Sequence, residues 1–351
     1  MKKLTKISFL LLFLSIFGAS VCVAQIPASN PQTLSGYHLL KKIEIGGEGG
    51  WDYLFADSKT HRLYVSHSTK VVVIDTESGN KIGEITNTNG VHGIAIADKL
   101  GRGFTSYGRD NSVTIFDLKT LKRLEDVKVG KNPDAIIYDE ATKRVFAFNG
   151  GSFDATVIDA ASGKVVGTID LGGKPEFATS NGKGMIFVNI EDKSEVVAID
   201  SRSLTAKEHW SIAPGEEPSG MAIDTKTHRL FIVCSNEKMI ILNADTGKVI
   251  ADLAIGEGTD AAGFDPKTKL AFSSNGAGNL TIIREDSADK FSIVESIQTQ
   301  RGARTMTLDT KTGNIYLPTA EFGETPAPTK ERPNPRPSIV PNSFVILVFG
   351  K

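Results

Sequence analysis

The stretch "DTKTHRLFI" (residues 224–232) decides the fold, because it returns along the chain. Copies stand at "DSKTHRLYV" (57–65), "DEATKRVFA" (139–147) and "DTKTGNIYL" (309–317), with a weaker one at "DPKTKLAF" (265–272). A second motif alternates with it: "VVVIDTESGNKIGEI" (71–85), "ATVIDAASGKVVGTI" (155–169) and "MIILNADTGKVIADL" (239–253). A third element, such as "VKVGKNP" (127–133), leads into the next copy. Each unit therefore reads strand, Asp-x-x-Thr turn, strand, loop, strand, Asp-x-x-(Thr/Ser)-Gly-Lys turn, strand. The turns have a mechanism: Asp and Thr side chains bond the local backbone, and Gly takes the left-handed position. The strands are short and rich in Val, Ile and Phe. Four antiparallel strands in a repeat of about 40–45 residues is the size of a propeller blade.

One position just before each first strand counts the blades. It is held by Asp52, His92, Asp134, Glu176, Ser219, Asp260 and Arg304, at steps of 40, 42, 42, 43, 41 and 44 residues. The expected fold is thus all-β, a seven-bladed β-propeller with four-stranded antiparallel blades. The seventh blade begins at Arg304 and ends with "FVILVFGK" (344–351), which is only its third strand. At the other end "YHLLKKIEIGG" (37–47) carries an "IEIG" that matches the outer-strand endings "LAIG" (253–256) and "IDLG" (169–172). The N-terminal strand should therefore pair into blade seven and close the ring, leaving no long open edge.

The chain resembles the YVTN-repeat propellers, including the YncE-like proteins. The likeness rests on "RLYVSH" (62–67), "RVFAFN" (144–149) and "RLFIVC" (229–234), on the Gly-Lys turns, and on a Pro-x-Gly/Ala approach to the first strands. It covers about residues 37 to 351, and it is specific for blade type rather than for function. A WD40 propeller fits less well. The only Trp-Asp pair, Trp51-Asp52, starts a first strand instead of ending a third.

The first residues, "MKKLTKISFLLLFLSIFGASVCVAQ", have the build of a secretory signal peptide: a basic start, an apolar stretch from Ile7 to Phe17, and a small residue at Ala24. The expected organisation is a signal peptide at 1–24, a linker at 25–36 and a propeller at 37–351. The destination would be the periplasm or the extracellular space, with no transmembrane span in the mature chain. A lipoprotein acylated at Cys22 is the minor alternative, poorly served by Val21. Export leaves Cys234 as the sole cysteine, so no intramolecular disulfide is available. Lys2, Lys3 and Lys6 leave with the signal, so 40 basic residues fall to 37 against 41 acidic ones, a net charge of −4. That balance disfavours nucleic acid as a partner.

In a propeller the first strand lines the axis. The loops before it, and those joining second and third strands, share one face, here called the top. The seven-residue ring then rims the axial mouth. It is polar in every blade but varied in identity, which suits a ligand or a divalent cation, with His92, Asp134, Glu176 and Asp260 the candidate metal ligands. The competing reading is a set of solvated polar groups at a wet channel mouth, with Arg304 neutralising its neighbours. A second layer lies at the ends of second strands, with His67, Tyr107, Asn149 and Asn275 as candidates and Cys234 as a buried thiol. Trp51 either stacks on a ligand or fills a gap between blades.

No nucleophile motif appears, and "GGEGG" (46–50) does not open a helix, so it is no phosphate loop. The favoured reading is a ligand- or partner-binding module, with a protein, a glycan or a small molecule at the top face. The resemblance implies the same. The alternative is a metal-dependent hydrolase or lactonase using the carboxylate-rich rim, which is fold-level analogy. One stretch stands apart. "PTAEFGETPAPTKERPNPRPSIVPNS" (318–343) is rich in proline and charge, yet it joins two strands of blade seven. The insertion, 320–342, is expected to emerge beside the rim as a wall or lid of the site. Lys330, Arg332 and Arg336 make it positive, opposite to the carboxylates below.

Overall fold

The structure is a computed structural model that describes residues 34–330, 333 and 335–351. The expected signal peptide, Cys22, residues 25–33 of the linker and Arg332 lie outside the described residues. Seven four-stranded antiparallel sheets follow one another around an axis. Blade one takes Trp51–Asp57, Arg62–His67, Lys70–Asp75 and Lys81–Ile85, from the axis outward. Blades two to six repeat this order, each ending on an outer strand. Blade seven is built from Thr307–Leu308, Ile315–Thr319 and Val345–Gly350, and its fourth strand is His38–Glu44 from the other end of the chain. The two ends pair antiparallel, with Ile43 opposite Ile346 and Glu44 opposite Val345. The ring closes as the repeat count requires.

The repeated turns fold by the chemistry expected of them. In the first turn the Asp57 carboxylate accepts from the Lys59 N–H at 3.0 Å and from the Thr60 hydroxyl at 2.6 Å. Asp224, Asp265 and Asp309 repeat the pattern with Thr227, Thr268 and Thr312. In the second turn Asp75 and Asp159 each accept from a Ser two residues before the Lys or Asn that resumes the strand. Gly79, Gly163 and Gly247 sit at positive φ there.

The blades pack face to face through their middle strands, whose side chains are almost wholly buried. Large residues such as Phe104, Phe146, Phe187, Phe231 and Phe272 fill the seams. Arginines that open several second strands tie neighbours together at the bottom. Arg102 donates to the Ala160 carbonyl, Arg144 to the Ser201 carbonyl and Arg229 to Ala288 and Asp289. Below the rim, the axis is an apolar channel of about 500 Å³ lined by inner-strand residues such as Phe55, Ile94 and Met306. No helix among the described residues is long and apolar enough to cross a membrane.

Candidate functional site

The ring position is built by a slip in the strand pairing. In six blades the register between first and second strands shifts there: between Trp51 and Leu54, Val91 and Ile94, Pro133 and Ile136, Pro175 and Ala178, Pro218 and Met221, and Thr259 and Ala261. Such a bulge leaves a residue out of the ladder and re-aims its side chain. Asp52, His92, Asp134, Glu176, Ser219 and Asp260 are the residues caught in it. Buried groups on second strands then pin the ring-position backbone of the next blade. Ser106 donates to the Asp134 carbonyl, Asn189 to the Ser219 carbonyl at 2.6 Å and Ser274 to the Arg304 carbonyl. Thr305 does the same for Asp52 at 3.0 Å, across the closing seam.

The ring side chains sort into three charge groups. His92 Nδ1 lies 2.6 Å from Asp52 and 3.6 Å from Asp134. Their potential ligand atoms all lie within 4.8 Å of one another. Lys174 stands 3.3 Å from Glu176 and also pairs with Glu191. Arg304 pairs with Asp260. Ser219 donates to the Thr259 carbonyl at 3.3 Å and completes the circle.

Burial dominates the ionisation of this rim. It pushes Asp134 up to about 7, helped by the field of Asp52 and opposed by His92. It pushes Glu176 up to about 8, with the field of Asp134 adding to it. Asp260 rises to about 6 through burial despite Arg304. His92 moves the other way: burial opposes its charge, but the bond to Asp52 and the field of Asp134 raise it to about 9. Burial thus favours the neutral forms of Asp134, Glu176 and Asp260, while their carboxylate neighbours favour the cationic forms of His92, Lys174 and Arg304. The rim is therefore close to self-neutralised rather than a negative field. Of the four expected metal ligands, the structure brings His92 and Asp134 together with Asp52. Glu176 and Asp260 belong to the other charge groups.

Tyr53 forms the floor beneath the rim. Its ring meets Phe177 of blade four at 5.6 Å, and its hydroxyl donates to the Glu176 carbonyl at 3.4 Å, from the far side of the axis. Burial and the surrounding carboxylates hold that phenol well above its ordinary pKa. Tyr53 escapes sequence reasoning because it sits one residue past the ring, where other blades carry smaller side chains or Phe177.

The second-layer candidates go into the fold. His67 is 2% exposed and packs on Phe344 with ring centroids 4.4 Å apart; burial lowers its pKa. Tyr107 is buried. Asn149 donates to Asp154 and Thr156, and Asn275 to Asn279 and Thr281, so both are spent on capping the loops that follow. Cys234 is buried and free, its thiol pushed up to about 12 by burial. These positions end strands inside the blade seams, which is why end-of-strand residues need not reach the rim.

Trp51 packs at the seam between blades one and seven and also borders a cavity. It stacks on Phe344 at 5.1 Å and 19°, and it lines a top-face cavity of about 530 Å³. The insertion supplies the outer wall of that cavity through Phe322, Arg336, Pro337 and Ile339. Its two stems pair as a short ladder: Phe322 bridges Ile339, the Gly323 N–H donates to the Ser338 carbonyl, and the Val340 N–H to the Glu321 carbonyl, both at 2.9 Å. The Asn342 N–H further donates to the Gly47 carbonyl at 3.1 Å.

A family model described as outer membrane protein assembly factor BamB matches residues 109–275, from the top loop of blade two to the second strand of blade six. Among solved structures, a chain of Kuenenia stuttgartiensis hydrazine synthase superposes with a TM-score of 0.69 at 16% identity. The match covers 78% of this chain and 94% of that one, and at this identity it is a likeness of fold. No curated protein matches the chain.

Proposed function

We propose that this chain is an exported binding module of the YVTN-repeat, YncE-like kind, which takes a ligand or partner on its top face beside the axial rim. The observation that carries the reading is the 530 Å³ top-face cavity, walled by an insertion that one blade alone possesses. Ligand pockets fall in this range of volume, roughly 300–1,000 Å³. Insertions on a rigid propeller face are where repeat proteins place specificity. The match to an assembly-factor family supports a binding role and an address at the cell envelope, as does the basic–apolar–small pattern of the first residues.

The test is a thermal-shift screen of the propeller with small molecules and oligosaccharides, repeated on a variant. In the variant, residues 324–337 are replaced by a short Gly/Ser turn. Hits that stabilise the parent and fail on the variant support the reading. Hits that stabilise both equally place binding elsewhere and overturn it.

A second reading has its own observation. Asp52, His92 and Asp134 offer two carboxylates and an imidazole at metal-binding separations, a set that suits Zn²⁺ or Mn²⁺ in a hydrolase. Purified protein that contains no metal, and whose melting ignores Zn²⁺, Mn²⁺ and a chelator alike, would sink this alternative.

A further inference from the structure

The top-face cavity holds positive charge that its surroundings do not neutralise. Arg301, Arg304 and Arg336 line it, and no carboxylate among the described residues does. The neighbouring rim offers no spare counter-charge. Asp260 is taken by Arg304, Asp52 by His92, and Glu191 by Lys174. Neither Arg301 nor Arg336 forms an ion pair with any described residue, and both are exposed. Of the insertion's described basic residues, Arg336 is the one that lines the cavity. Two aromatic rings, Trp51 and Phe322, stand in the same wall with centroids 6.2 Å apart. Gly50, Gly258, Gly276 and Gly302 also line it, and Gly302 lies close against the Phe322 ring.

We propose that this pocket binds a small anionic ligand, a phosphate or carboxylate attached to a flat apolar body. Arg301 and Arg336 take the anion and Trp51 and Phe322 take the body. The proposal rests on the top face being the binding face and names the class of ligand it takes. A guanidinium offers several N–H donors in a planar fork that matches both anions. An aromatic wall beside it holds a flat group by stacking. Arg304, fixed by Asp260, adds a third cation without being free to leave.

Trp51 is a reporter inside the site, and the other tryptophan, Trp210, lies on an outer strand of blade four. The experiment follows Trp51 fluorescence in a Trp210→Phe background, titrating phenyl phosphate, benzoate and the neutral benzyl alcohol. We expect a saturable change with the anions, and the tighter of the two tells phosphate from carboxylate. Arg301→Gln with Arg336→Gln should weaken it by at least roughly tenfold. Gly50→Leu should abolish it, since a side chain there meets nothing within 4 Å and would project into open space. Benzyl alcohol titrating as tightly as the anions would overturn the inference while leaving the top face as a binding face. So would anion affinities unchanged in the double Gln variant. Silence from all three probes would overturn it and count against the top-face reading too.

Discussion

At the scale of single residues, the bottom of the ring holds a charge that the repeat does not call for. In blade three the turn carboxylate of Asp139 accepts from the Ser201 hydroxyl of the next blade at 2.8 Å. The corresponding position opposite Asp224 is Glu285, which is 1% exposed. Two carboxyls face each other where a carboxylate and a hydroxyl stand elsewhere. Burial, and then the bond and field of Asp224, raise the Glu285 pKa above its ordinary 4.5. Against burial, the Lys226 N–H, the Thr227 hydroxyl and Glu285 itself hold Asp224 low. Glu285 is thus the carboxyl of the two that favours its protonated form. The sign follows. Its folded pKa lies above the unfolded one, so the folded state binds the extra proton and stability falls as pH rises from about 4.5 through the raised value. Glu285→Gln keeps a donor and removes the titration. It should melt a few degrees above the parent at pH 8, with the gap closing toward pH 5. A gap that does not change with pH would refute the raised pKa of Glu285. None of this was legible in "IREDS" (283–287), which reads as a surface charge run; only the register with Ser201 places it. By contrast, the seven rim residues could be named from the repeat count alone. Their pairing into three charge groups could not, because it depends on side-chain direction across blades.

At the scale of elements, the bulge explains why a polar residue recurs beside the axis without a fixed identity. The slip is a backbone event, and what it presents is free to vary. The sequence showed the recurrence but not the cause, since a bulge leaves no residue type as its mark here. One glycine does mark the close approach of inner strands. A Cβ on Gly220 would stand 2.5 Å from the Ala261 Cα and 2.7 Å from the Ala262 N–H nitrogen, both backbone atoms of the next blade. Neither can move without parting two inner strands. Gly220→Ala should therefore cost about 1–3 kcal/mol, while Gly50→Ala, with open space around it, should cost little. Urea unfolding of the two variants compares them directly, and equal midpoints would show that the strands have slack. The insertion is legible in the same way. It joins two strands of blade seven as expected, and those strands, Ile315–Thr319 and Val345–Gly350, pair along their length. The ladder at 321–323 and 338–340 continues that hairpin outward, so shortening the tip between them should leave the melting temperature nearly unchanged.

At the scale of the whole molecule, stability turns on the seam where the chain ends meet. Blade seven has the shortest inner strand, Thr307–Leu308, and so depends most on its outer one. His38–Glu44 forms six residue pairs with Val345–Gly350 and buries Ile43 among Ile346, Val348 and Leu54. Tyr37 fastens the entry. Its hydroxyl donates to the Gly313 carbonyl at 3.0 Å, its ring meets Phe272 at 5.1 Å edge-on, and the Lys351 amine sits 5.2 Å above it. Starting the propeller at residue 46 removes this strand and exposes the edge of "VILVFG" (345–350), a flat apolar strand with unpaired N–H and carbonyl groups. Such an edge pairs with whatever strand is offered. The shortened chain should therefore melt well below the parent and elute as dimers or larger species in size-exclusion chromatography. Adding the peptide YHLLKKIEIG in trans should restore the monomer, because the edge specifies its partner by register and by the Ile43 pocket. The same peptide with Ile43→Asp should fail. If the shortened chain stays monomeric and melts with the parent, closure is dispensable and blade seven is held by its neighbours alone.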